Sequence, residues 1–110
     1  AKVPAAATAA TTEAALAPTT ALKHDVVAGT TEVHDFGPGC TSLEPVFVPR
    51  RGATDEDDGY VMAYVFNAER HTSDVVILSA QDFAGPPVAV VELPVRVPFG
   101  FHGGWVPDQP

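Results

Sequence analysis

Residues 60–80 read YVMAYVFNAERHTSDVVILSA, and this stretch decides the fold class. Two runs rich in β-branched and aromatic side chains, 60–67 and 74–80, flank the polar connection AERHTS at 68–73. Such side chains suit a pleated, half-buried surface, so the stretch predicts two strands joined by a polar turn. On its N-terminal side, PVFVP at 45–49 is short, apolar and bounded by prolines, and RRGATDEDDG at 50–59 links it to the first long strand. On the C-terminal side, PPVAVVELP at 86–94 supplies a further strand, with prolines at its ends where a missing N–H does least harm. Upstream, ALKHDVV (21–27) and TEVHDF (31–36) alternate as arms of a hairpin around Ala28-Gly29-Thr30, and GPGC (37–40) breaks the second arm. The sum is about six short strands at even spacing, an all-β chain of antiparallel meanders such as propeller blades or a barrel.

Composition agrees. Eleven prolines and nine glycines in 110 residues exclude long helices and favour short strands with turns. A hydrophobic content of 45% allows one small domain with a modest core. Fourteen Asp and Glu against 6 Lys and Arg give a net charge of −8, which repels a phosphate backbone and argues against a nucleic-acid partner. No run approaches the roughly eighteen apolar residues of a membrane span, and the N-terminus lacks the charged start and apolar centre of a signal peptide. The lone Cys40 has no internal disulfide partner, which suits a reducing compartment and a cytoplasmic location. Residues 1–20, AKVPAAATAATTEAALAPTT, read as a low-complexity linker or loop with at most a helical turn near 13–16. Residues 21–110 form the β unit, and the absence of an initiating methionine suggests a piece of a longer chain.

Few side chains invite chemistry. His24 and His34 stand on opposite arms of the predicted hairpin, where a metal would want two imidazoles together. Their neighbours Lys23, Asp25, Glu32 and Asp35 instead make both arms look solvated, and His71 lies in a polar turn. The acidic run TDEDDGY (54–60) suggests a calcium loop, but that loop needs Asp first and Glu twelfth, where Thr54 and Val65 stand. It reads as a solvated turn. Glu44, in LEPVFVP, directly precedes an apolar strand; it either faces water or, if turned inward, needs a partner. Glycine-rich phosphate loops, GxSxG and CxxC are all missing.

The C-terminal stretch VPFGFHGGWVPDQP (97–110) sets His102 among Phe99, Phe101 and Trp105, with Gly100, Gly103 and Gly104 close by. On chemistry alone two readings stand. His102 is a core residue with hydrogen-bonded nitrogens, which is the ordinary fate of a histidine on an apolar segment, or it is a metal ligand whose second nitrogen is held by a carboxylate or carbonyl. Glycines would let the backbone approach a crowded centre.

The ordered motifs EPVFVPR, DEDDGY, ILSAQDF and PFGFHGGW closely resemble the C-terminal portion of the carotenoid cleavage oxygenases, a family that includes apocarotenoid and lignostilbene dioxygenases and the retinoid isomerase of the eye. The likeness runs from about Leu22 to Pro107. It implies the last blade or two and the closing strand of a seven-bladed β-propeller, whose axis carries a non-haem Fe(II) held by four histidines, three of them oriented by glutamates. His102, in Phe101-His102-Gly103, matches the final iron ligand; Glu44, before the PVFVP strand, matches one orienting glutamate. His24, His34 and His71 match no ligand position and are expected at the surface. The implied activity is oxidative cleavage of a carbon–carbon double bond in a carotenoid, apocarotenoid or stilbene, with dioxygen as co-substrate. Phe99 and Phe101 would help to shield the iron. Three ligands lie outside this chain, so by itself it is expected to be inactive, and any peripheral membrane contact would come from those missing regions. The competing reading is a non-catalytic β-domain, a binding or interaction module in which His102 is merely packed.

Overall fold

The computed structural model describes residues 18–100 and 102–108. Two strands, β1 (Thr20–Asp25) and β2 (Thr30–Asp35), pair as an antiparallel hairpin with Ala21 opposite His34. Five more form a second antiparallel sheet: β3 (Cys40–Ser42), β4 (Val46–Pro49), β5 (Gly59–Asn67), β6 (Thr72–Ser79) and β7 (Ala89–Glu92). β5 and β6, the two strands of the decisive stretch, pair over eight positions from Tyr60–Ser79 to Asn67–Thr72. On its other edge β5 is shared: β3 pairs its C-terminal half and β4 its N-terminal half. β7 closes the far side against β6.

Side-chain alternation sorts this sheet into two faces. Val61, Ala63 and Val65 of β5 share one face with Leu78 and Val76 of β6, and Ala21 and Phe83 complete the buried cluster. The hairpin thus covers this face. Met62, Tyr64 and Phe66 share the opposite face with Val75 and Ile77, and here Tyr64 is exposed. Because both faces are apolar, the strands read as near-continuous hydrophobic runs rather than clean alternations. Gly59 is required where β4 meets β5, since a Cβ there would collide with the Val48 carbonyl oxygen.

Charged side chains fasten the loops to this frame. Lys23 Nζ donates to Asp57 Oδ2 (2.8 Å) and to the Ala80 carbonyl (2.7 Å), joining β1 to the acidic loop and to the 3-10 turn Ala80–Asp82. Arg50 grips Asp58 through two parallel bonds, Nε to Oδ1 (2.8 Å) and Nη2 to Oδ2 (2.5 Å), across the β4–β5 connection. The solvated-turn reading of TDEDDGY therefore needs correction. Lys23 and the Gln81 amide hold the Asp57 carboxyl below its usual range, and Arg50 does the same for Asp58.

The strand forecast needs other corrections. Seven strands are present among the described residues; β3 escaped notice because it is three residues long and begins at Cys40, inside the glycine-rich break. Val26 and Val27 leave the hairpin arm because Asp25 Oδ1 accepts from the N–H groups of Val27 and Ala28 and turns the chain there. Of the predicted linker, residues 1–17 lie outside the described residues. Its end does not behave as a linker: the carbonyls of Pro18 and Thr19 accept from Ser42 N (2.8 Å) and Phe36 N (2.9 Å), and Thr20 opens β1. After β7, residues 93–100 and 102–108 form no strand, so the expected closing strand is here an irregular strap.

Candidate metal-ligand site

Glu44 stands where the β5 edge changes partners. Leu43 N still donates to the Tyr64 carbonyl (2.9 Å), but Pro45 has no N–H to offer, so the ladder lapses between β3 and β4. This local break lifts Glu44 out of the sheet without burying it. Its side chain is 47% exposed.

The strap brings the second group. Ser73, fully buried on β6, receives the Leu93 N–H at its carbonyl, donates its own N–H to the Val95 carbonyl, and accepts the Val97 N–H at Oγ, all at 2.9 Å. Arg96, between those anchors, lies over the Phe66 ring at 4.6 Å and within 5.4 Å of the Phe99 ring centre. Beyond this clamp, His102 reaches Glu44, 58 residues away in sequence: Nδ1 donates to Oε2 at 3.0 Å. Gly103, Gly104 and Trp105 continue over the sheet and, with Glu44, Val46, Met62 and Tyr64, line a cavity of about 220 Å³ beside the pair.

A carboxylate only accepts, so the bond fixes the proton on Nδ1 and leaves Nε2 with its lone pair in the neutral ring. The His102 side chain is 86% exposed. An oriented imidazole with one free nitrogen is what a metal ligand requires, and the donor chemistry fits one position of an iron site. Among the described residues no group of three or more His, Cys, Asp or Glu converges to hold a metal. The remaining donors of such a site are not in this constellation.

Within this chain His102 does not take the packed place. His102 is not enclosed by its aromatic neighbours; Phe99 and Trp105 are themselves about half exposed or more, and Phe101 lies outside the described residues. The surface assignment of His34 is overturned. It is 6% exposed, its Nδ1 donates to the Phe83 carbonyl at 3.0 Å, and its ring meets Phe36 edge-on at 4.9 Å. Asp35 and Val33 alternate to the outer side of β2, Glu32 shares the inner side but sits half-buried nearer the hairpin turn, and His34 points into the core. His24 is half-buried against Thr31 Oγ1 (2.7 Å) and sits three ladder positions from His34, so the two imidazoles never face one metal. His71 is exposed in its turn, as expected.

Sequence reading missed Ser73 and Arg96. Ser73 carries no sequence signal, being a small residue in a polar turn; Arg96 could have been found as a lone cation among Val95, Val97 and Phe99 in an otherwise apolar segment.

Comparison with known proteins covers most of this chain. The family model described as retinal pigment epithelial membrane protein matches residues 4–107. The chain is 40% identical over 84 residues to apocarotenoid-15,15'-oxygenase of Synechocystis, covering 76% of this chain and 17% of that protein. It is 42% identical over 78 residues to resveratrol cleavage oxygenase 1 of Chaetomium globosum, covering 71% of this chain and 13% of that one. It superposes on the crystal structure of cobalt-substituted Synechocystis apocarotenoid oxygenase with a TM-score of 0.77 at 39% identity, over 80% of this chain and 18% of the other. The chain thus spans about a sixth of the length of the relatives it matches. With both His102 and Glu44 inside the matched range, this chain belongs to the retinal pigment epithelial membrane protein family, the carotenoid cleavage oxygenases.

Proposed function

We propose that this chain is the C-terminal part of a non-haem Fe(II) dioxygenase that cleaves a carbon–carbon double bond of a carotenoid, apocarotenoid or stilbene into two carbonyl products. The observation that carries the reading is the His102–Glu44 pair: an imidazole held through Nδ1 by a carboxylate at 3.0 Å, with Nε2 left free. Family membership supports the substrate class, since relatives are named apocarotenoid-15,15'-oxygenase and resveratrol cleavage oxygenase. The five-stranded sheet with its second apolar face uncovered at Tyr64 and Val91 fits a propeller blade that packs against a neighbour.

In this reading His102 supplies one iron ligand through Nε2, and Glu44 holds the ring in the required tautomer and direction. Iron(II) supplies the redox chemistry by which the two atoms of dioxygen end on the two carbons of the broken double bond. What the chain itself does is hold a neutral donor in place while the metal keeps its charge. The carboxylate accepts a proton-bearing nitrogen and raises the basicity of the other one. Three further histidines would come from outside this chain, so this part alone is inactive.

The test uses the full-length protein, loaded anaerobically with Fe(II). One iron per protein is expected, lost in His102→Ala, with both atoms of labelled dioxygen recovered in the two carbonyl products of the wild type. Full iron content and turnover in His102→Ala would overturn the assignment.

A further inference from the structure

The position of His102 raises a physical problem, because among the described residues no backbone hydrogen bond ties the strap that carries it to the sheet beyond Val97. From the last backbone anchor at Val97, five residues lead to His102, enough for a reach of about 17 Å if extended. A free tether of that length would rarely leave the imidazole on Glu44. Arg96 shortens it. Its guanidinium lies over Phe66 of β5 on the sheet side and near Phe99 of the strap, at 4.6 and 5.4 Å to the ring centres. Pinning Phe99 cuts the free run to three residues, a reach of about 10 Å.

Arg96 is itself held from both sides, since Ser73 binds the Val95 carbonyl and the Val97 N–H. Among the described residues Arg96 has no carboxylate partner, so its two contacts here are aromatic rings. A planar, weakly hydrated guanidinium can lie against a ring on each side, which a compact ammonium does less well. We propose that Arg96, over the rings of both Phe66 and Phe99, is a positioning residue that sets His102 on Glu44 and thereby preorganises the metal ligand. The proposal rests on reading His102 as a ligand.

The experiment titrates Co(II) into the full-length apoprotein and records affinity and the visible d–d spectrum, which reports ligand geometry independently of turnover. Arg96→Met keeps the reach of the side chain and loses its charged plane. It is expected to bind Co(II) roughly tenfold more weakly, the lower end of the loss seen when a ligand's orienting partner is removed. Its spectrum should change while its thermal midpoint stays put, and Arg96→Lys should recover part of the affinity. Wild-type affinity and spectrum in Arg96→Met, alongside their loss in His102→Ala, would overturn the positioning role and leave the ligand assignment standing. A lowered thermal midpoint with an unchanged spectrum would also overturn it, because that is a packing role. If His102→Ala itself keeps wild-type Co(II) affinity and spectrum, the ligand reading fails first and takes the proposal with it.

Discussion

His34 and His102 are two histidines held in opposite ways, and only the first departs from its expected place at the surface. His34, flanked in sequence by Val33 and Asp35 with Glu32 nearby, is buried between Phe36 and Phe83 and spends its Nδ1 on a backbone carbonyl. His102, flanked by glycines and aromatics, stands in the open with its Nδ1 on a carboxylate and Nε2 unspent. The difference lies in how each backbone is held. His34 belongs to a strand, where alternate positions point to opposite sides, so polar neighbours on the outer side say nothing of its own direction. His102 belongs to a strap without ladder pairing, where aromatic neighbours need not enclose anything. A histidine bonded to a carbonyl completes a core; one oriented by a carboxylate with a free nitrogen is equipped to bind something else.

Exchanging the two substitutions gives the sharpest test of that contrast. In the full-length protein His102→Ala should abolish stoichiometric iron binding while leaving the apoprotein folded, because among the described residues of this chain the imidazole's one hydrogen bond is to Glu44. Chemical denaturation and metal analysis on the same samples would read both. His34→Ala should do the reverse, costing about 2–4 kcal/mol of stability through the cavity between Phe36 and Phe83 and the unpaired Phe83 carbonyl, with iron affinity unchanged in the folded fraction. Loss of iron in a folded His34→Ala protein would erase the distinction.

A smaller effect is expected at the carboxylate. Glu44→Gln keeps an acceptor but loses the charge that fixes the tautomer, so iron affinity should fall about ten- to a hundredfold with folding intact. Equal iron occupancy would reduce Glu44 to a residue at the entry of β4. Asp57→Asn is not the inert control that a solvated acidic turn would supply, because Lys23 and Gln81 both bind that carboxylate. A slight loss of thermal stability with unchanged metal affinity is the expected result there.

The smallest effect is in acid. Asp57 and Asp58 have folded pKa values lowered by Lys23 and Arg50, so at neutral pH both contribute stability. That contribution is fully present above the unfolded carboxyl value near 4 and disappears as pH falls through the lower folded values. Thermal midpoints measured between about pH 5 and 2 should therefore decline, and Asp58→Asn should flatten part of the decline. A slope as steep in that variant as in the wild type would assign the acid sensitivity elsewhere.

Much was legible in residues 60–80, because β-branched and aromatic runs around a polar turn constrain any chain to pair them, and β5 and β6 do so. The break at Glu44 was half legible. Pro45 announced the missing N–H, but nothing local told that β3 and β4 would share one edge of β5 and leave a carboxylate at the lapse. The acidic loop was misread because its counter-charges, Lys23 and Arg50, lie 34 and 8 residues from the aspartates they bind.

By itself the sequence determined the all-β class, the central strand pair and, through its ordered motifs, the family and the two residues worth watching. The class and the strand pair depend on composition and alternation, which are local; the family and the two residues rest on the resemblance of the motifs. Only the tertiary structure decided that His34 turns inward and His102 outward, that Glu44 and His102 meet at 3.0 Å, and that Ser73 and Arg96 hold the strap that lets them meet. Each of these is a contact between segments far apart in the chain, set by strand register and by the two apolar faces of one sheet.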